Sequence, residues 1–104
     1  MDWIKYFERM IKMLRLKEDR LNEEKKSGAA MYNSSNGEFG IDHNLREINS
    51  ITNGAISLLD FLLNNEEISE QDAKKLKYEL GWLETDTWAI RLGTYPTPHL
   101  SFDK

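Results

Sequence analysis

A chain of 104 residues has room for one hydrophobic core and is too short for two ordinary domains. It carries 14 Lys or Arg against 18 Asp or Glu, a formal charge of −4. With no Cys it excludes disulfide scaffolds, thiolate zinc sites and cysteine nucleophiles, and its Trp, Tyr, Phe and Leu content argues against disorder throughout. No stretch approaches the roughly 20 apolar residues of a membrane span. The opening Met1-Asp2-Trp3-Ile4-Lys5-Tyr6 lacks the cationic start and apolar run of a secretory signal, so the expected location is cytoplasmic. Val is absent and the two Pro stand late, at Pro96 and Pro98, which tilts intrinsic propensity toward helix.

The first predicted element runs from about residue 2 to 26. Trp3, Phe7, Met10, Leu14 and Leu21 form a helical stripe that skips one position at Lys17, and Ile4, Ile11 and Met13 widen it. Glu18 and the other charged residues are expected on the solvent side. Asp2 is a ready N-cap, and Gly28 a stop.

Residues 27–42 are rich in Gly, Ser and Asn and read as a long loop. Asn36-Gly37 is a turn signal that could pair 30–33 with 38–41 as a short hairpin, but an isolated hairpin is marginal in water, so an irregular loop is the stronger expectation.

Asp42 is expected to cap a second helix over about 43–64. Its Leu45, Ile48, Thr52, Ala55, Leu59 and Leu62 repeat at 3-4-3-4-3, the spacing of a coiled-coil seam. Ile51, Ile56, Leu58, Phe61 and Leu63 make this the most apolar segment, wide enough for two neighbours. Gly54 inside it implies either a close helix crossing or a kink.

Ser69, with Asp72 three residues on, resembles a capping box and opens a third helix over 69–92. Ala73, Leu76, Leu80, Leu83, Thr87 and Ile90 repeat the same seam, and Gly93 is the stop. The short connection predicts that helices two and three lie antiparallel. The tail, 93–104, has Pro at alternate positions and is expected to be extended. The fold expectation is therefore all-α: one domain over 1–104, a three-helix antiparallel bundle with coiled-coil-like packing, a long loop and an extended C-terminal tail.

Catalytic apparatus is not apparent. His43 and His99 belong to no spaced ligand set, so no metal site is predicted, and nothing selects a carboxylate pair among the many acids. Gly37-Glu38-Phe39-Gly40 matches neither a dinucleotide fingerprint nor a P-loop, and no cofactor is expected. The first helix holds eight Lys or Arg against six acids, residues 27–65 one against four, and 66–104 five against eight. Because the cations of the first helix alternate with acids, the pattern favours intrahelical pairs on a solvated face over nucleic-acid binding.

The expectation is a non-enzymatic protein-binding module, an inhibitor, adaptor or immunity-type factor of the size and acidity of small bacterial or phage accessory proteins. Three similar seams suggest a homodimer or higher oligomer. Trp82, Trp88, Tyr95 and Phe102 are the expected partner anchors, since they are aromatic and lie off the Leu seam or beyond it. The competing reading for the Trp residues is that they complete the core. An alternative of another class is a sequestering protein whose 27–42 loop closes over a small anionic or aromatic ligand or a nucleotide, held by Lys26, Tyr32, Asn33, Asn36 and Arg46.

Overall fold

A computed structural model describes residues 2–27 and 38–96, apart from the side chains of Glu38 and Phe39. Three helices follow in order, α1 (Trp3–Ser27), α2 (Glu38–Asn64) and α3 (Glu70–Leu92), and no strand occurs among the described residues.

Helix ends follow local chemistry. Asp2 Oδ1 accepts the Lys5 backbone N–H at 3.1 Å, and Ser69 Oγ accepts that of Asp72 at 3.1 Å, each satisfying a donor that the first turn leaves unpaired. Gly93 closes α3 in the left-handed conformation at φ 78°, and Lys25 reaches across from α1 to the last carbonyls, Ile90 O at 2.8 Å and Arg91 O at 2.6 Å. α2 ends less conventionally. Glu66 adopts φ 59° while its N–H donates to Leu63 O at 3.1 Å, and that of Glu67 donates to Leu62 O at 2.8 Å, a Schellman closure without the usual glycine.

Cross-helix bonds set the directions. Arg91 to Asp42, Thr87 to Asn49 and Lys77 to Asp60 pair rising numbers in α2 with falling numbers in α3, so these helices are antiparallel. Arg15 to Glu79 and Lys25 to Ile90 run the other way, so α1 is parallel to α3. α1 and α2 are then antiparallel, with Lys17 to Glu47 at 3.1 Å between them. α1 packs less extensively on α2 than either does on α3.

Every predicted seam position of α2 and α3 is buried, with Leu45, Ile48, Leu59, Leu80, Leu83 and Ile90 almost wholly excluded from solvent. Two threonines in these seams find acceptors: Thr52 Oγ1 donates to Asn49 O at 2.9 Å, and Thr87 Oγ1 lies 3.0 Å from Asn49 Oδ1 and 2.6 Å from Glu84 O. Buried polar groups of this kind are tolerable only when so satisfied.

Five expectations are corrected. α2 begins at Glu38, so 38–42 is helix rather than loop, the second arm of the hairpin does not exist, and Asp42 is an interior residue rather than a cap. The reason is Ile41, which stands one seam step before Leu45 and is buried at 6% exposure. Core burial outweighs the cost of Gly40 in a first turn. Gly54 serves no close crossing: a Cβ there would meet nothing within 4 Å, and the helix runs unbroken through it. Finally, the buried stripe of α1 is Phe7, Ile11, Leu14, Glu18 and Leu21 with Asn22, so Ile11 and Glu18 occupy the core positions expected of Met10 and the skipped Lys17. The predicted stop at Gly28, the first arm of the hairpin and tail residues 97–104 lie outside the described residues.

Candidate functional site

Of the expected partner anchors, Trp82, Trp88 and Tyr95 are among the described residues, and they point to different sides of the bundle. Trp82 is half-buried and meets Tyr78 edge-on, with centroids 6.3 Å apart. Trp88, six positions further along α3, lies on a different side and is 56% exposed. Tyr95, half-buried after the end of α3, turns toward α1 and hydrogen-bonds Asp19 through its hydroxyl, and burial raises its pKa, the Asp19 bond adding to the rise. Phe102 lies outside the described residues, as do Tyr32, Asn33 and Asn36 of the alternative ligand set. Of that set Lys26 is exposed at the end of α1, and Arg46 is held on α2 by Asp42 Oδ2 at 2.8 Å.

One unforeseen link joins two of these residues. Asp42 bonds Arg46 through Oδ2 and Arg91 through Oδ1 at 3.0 Å, and the Arg91 guanidinium stands 4.7 Å from the Trp88 ring centroid. The Arg91 hydrogen bond, chiefly, holds the Asp42 carboxyl below its ordinary range. The chain Arg46-Asp42-Arg91-Trp88 ties the start of α2 to the end of α3 and orients an exposed Trp by a cation–π contact.

The groove between α1 and α3 is crossed by charge. Ile4, Ile11 and Leu16 line it, but so do Lys12, Arg15 and Lys75 against Glu8, Asp72 and Glu79, with Arg15 and Glu79 bridging it. The groove between α1 and α2 differs. Tyr6, Met10, Met13 and Leu14 of α1 face Ile51 of α2 across it, with Asp2, Lys5 and Arg9 along the α1 rim. Tyr6, Met10 and Met13 recur at 4-3 spacing, and Ile51, Leu58 and Phe61 at 7-3, so each helix carries a second apolar stripe beside its core seam. These stripes are open: Tyr6 is 43% exposed, Met13 69%, Ile51 37% and Phe61 62%. Between Glu47 and Asp60 α2 has no charged residue at all. No protein-family model, curated protein or solved structure matches this chain.

Sequence reasoning passed over this groove because it ranked residues by type, giving Trp precedence over Met. The signal was present in the off-seam repeats at 6-10-13 and 51-58-61, since a helix in a three-helix bundle needs apolar residues only toward its two neighbours.

A second feature is chemical. Glu18 is wholly buried, and neither of its carboxyl oxygens has a hydrogen-bond partner among the described residues. Its pKa is pushed up to about 9, first by burial, then by Asp86 and Asp19, with Arg15 pulling weakly the other way. At neutral pH it therefore holds a proton. Such a pKa can mark a catalytic acid, but this group lines neither of the grooves described above. Among the described residues no group of three or more His, Asp or Glu could hold a metal ion, and no helix is long and apolar enough to cross a membrane.

Proposed function

We propose that this protein is a helical protein-binding module that engages a macromolecular partner non-covalently, receiving one partner helix in the groove between α1 and α2. The observation that carries the reading is the open apolar stripe of Tyr6, Met10 and Met13 on α1, which faces Ile51 of α2 across the groove. Isolated exposed apolar residues are ordinary, but Tyr6, Met10, Met13 and Ile51 gather along one groove, and a contiguous apolar surface of this kind marks an interaction site. A helix laid in such a groove would meet this surface with residues at i, i+3, i+4 and i+7, as in other helix-in-groove complexes. Methionine suits the role because its flexible thioether adapts to an incoming surface. On this reading the protein acts as an inhibitor or adaptor by occupying a helix of its partner, and Trp88 is a peripheral contact.

The test is site-specific photo-crosslinking in the cell that makes the protein, with a photoreactive amino acid placed at Met13, at Trp88 or at Lys75. The expected result is a cross-link from position 13 to a helical segment of another protein, and loss of that complex on reconstitution with the Met13→Asp variant. Cross-links from position 88 alone would move the site to the α2/α3 face and overturn the proposal.

A further inference from the structure

The charge around the groove says what kind of helix it takes. Every charged residue lining it comes from α1 or its cap: Lys5, Arg9 and the capping Asp2. Asp2 is committed locally, because its carboxylate caps α1 through the Lys5 backbone N–H. Lys5 and Arg9 are exposed, one turn apart on α1, and neither side chain is in an ion pair among the described residues. The opposite wall offers them nothing, since α2 is uncharged from Ile48 to Leu59 and presents Ser50, Asn53, Gly54 and Ser57 on its exposed side. Lys12, Arg20, Lys26 and Lys74 are likewise in no ion pair among the described residues but do not line this groove, and several other cations are committed. Arg15 bonds Glu79, Lys17 bonds Glu47, Arg46 and Arg91 share Asp42, Lys77 bonds Asp60, and Lys25 caps α3. In an otherwise acidic protein, two cations thus flank this apolar groove, and no ion pair joins the residues that line it among the described residues.

We infer that the occupant of the α1/α2 groove is an acidic amphipathic helix of a different protein, whose apolar face covers Tyr6, Met10, Met13 and Ile51 while Glu or Asp residues on its flank meet Lys5 and Arg9. This rests on the groove being the docking site proposed above. A second copy of this chain is disfavoured by the same charges, because a twofold axis through the groove would bring two Lys5/Arg9 pairs into one interface with Asp2 as the only acid of the lining. The charges should act mainly on selectivity and association rate, with the apolar rows supplying most of the affinity.

The experiment uses the full chain and two labelled synthetic helices sharing one Leu-rich apolar face, one with Glu and one with Lys on its polar flanks, measured by fluorescence anisotropy at low and high salt. The expected result is about tenfold tighter binding of the Glu helix at low salt, shrinking as salt screens the exposed pairs. The Lys5→Glu/Arg9→Glu double variant should abolish or reverse the preference, and Met13→Asp should weaken both helices. Charge-blind binding that Met13→Asp still weakens would overturn the acidic partner and leave the groove standing; no binding of either helix, or binding indifferent to Met13→Asp, would overturn both. Sedimentation showing a dimer that Met13→Asp dissociates would assign the groove to a second copy and refute the inference. So would Met13-dependent co-sedimentation with vesicles containing anionic lipid but no binding of the Glu helix.

Discussion

Replacing Glu18 with Gln should make the protein's stability less sensitive to pH. In the folded chain Glu18 keeps its proton up to about pH 9, because burial and the neighbouring Asp86 and Asp19 disfavour the carboxylate, whereas in the unfolded chain it ionises near the ordinary value of 4.5. A folded pKa above the unfolded one means that the native state binds more protons, so this contribution is fully present below pH 4.5 and is lost as pH rises toward 9. Between those limits each pH unit removes about 1.4 kcal/mol, which by pH 7 amounts to about 3 kcal/mol. Gln has nearly the same shape and no proton to lose, but its amide also needs partners in a pocket that offers few, a pH-independent cost of about 1–3 kcal/mol. The diagnostic is therefore the slope. Urea unfolding followed by tryptophan fluorescence at pH 5, 6, 7 and 8 should show the Glu18→Gln variant gaining on the parent steadily as pH rises. Parallel stability profiles from pH 5 to 8 would refute the reasoning and show that Glu18 is hydrated or paired in solution.

Glu66→Gly should stabilise the protein by about 1 kcal/mol, because Glu66 closes α2 at φ 59°, where a Cβ is strained and glycine is not; an unchanged urea midpoint would remove that explanation. Gly54→Ala should stabilise by up to about 1 kcal/mol, since a Cβ at this exposed interior position of α2 meets nothing within 4 Å, and thermal unfolding measures it. Leu59→Asp should unfold the chain, as it buries an unpaired charge at a position wholly excluded from solvent, and loss of the helical circular dichroism signal is the readout.

The seams of α2 and α3 were legible in the sequence because six positions in each obey one period, and in α3 the caps agree with it: Ser69 and Gly93 sit where the pattern starts and stops. α1 was read less well, since Trp3 and Met10 compete with Ile11 for the same role and their wide stripe leaves the helix rotation undecided by a few tens of degrees. That small rotation is what brings Glu18 into the core and leaves Met13 outside it. An exposed row of Met and Tyr is ordinary as residue types go, so the groove it lines with Ile51 became visible only once α1 and α2 stood side by side.

Local information by itself thus determined that the chain is helical, where α3 begins and ends, and which faces of α2 and α3 are buried, because propensity, capping and periodicity act within a few residues of one another. Only the tertiary structure decided the rest. It extended α2 back to Glu38 through the burial of Ile41, enclosed an unpartnered carboxyl at Glu18, joined Arg46 to Trp88 through Asp42 and Arg91, and left the Lys5 and Arg9 side chains without an acid opposite. Each of these depends on which helix lies against which and in what rotation, and contacts between residues 30 to 76 positions apart have no signature in the spacing of either segment alone.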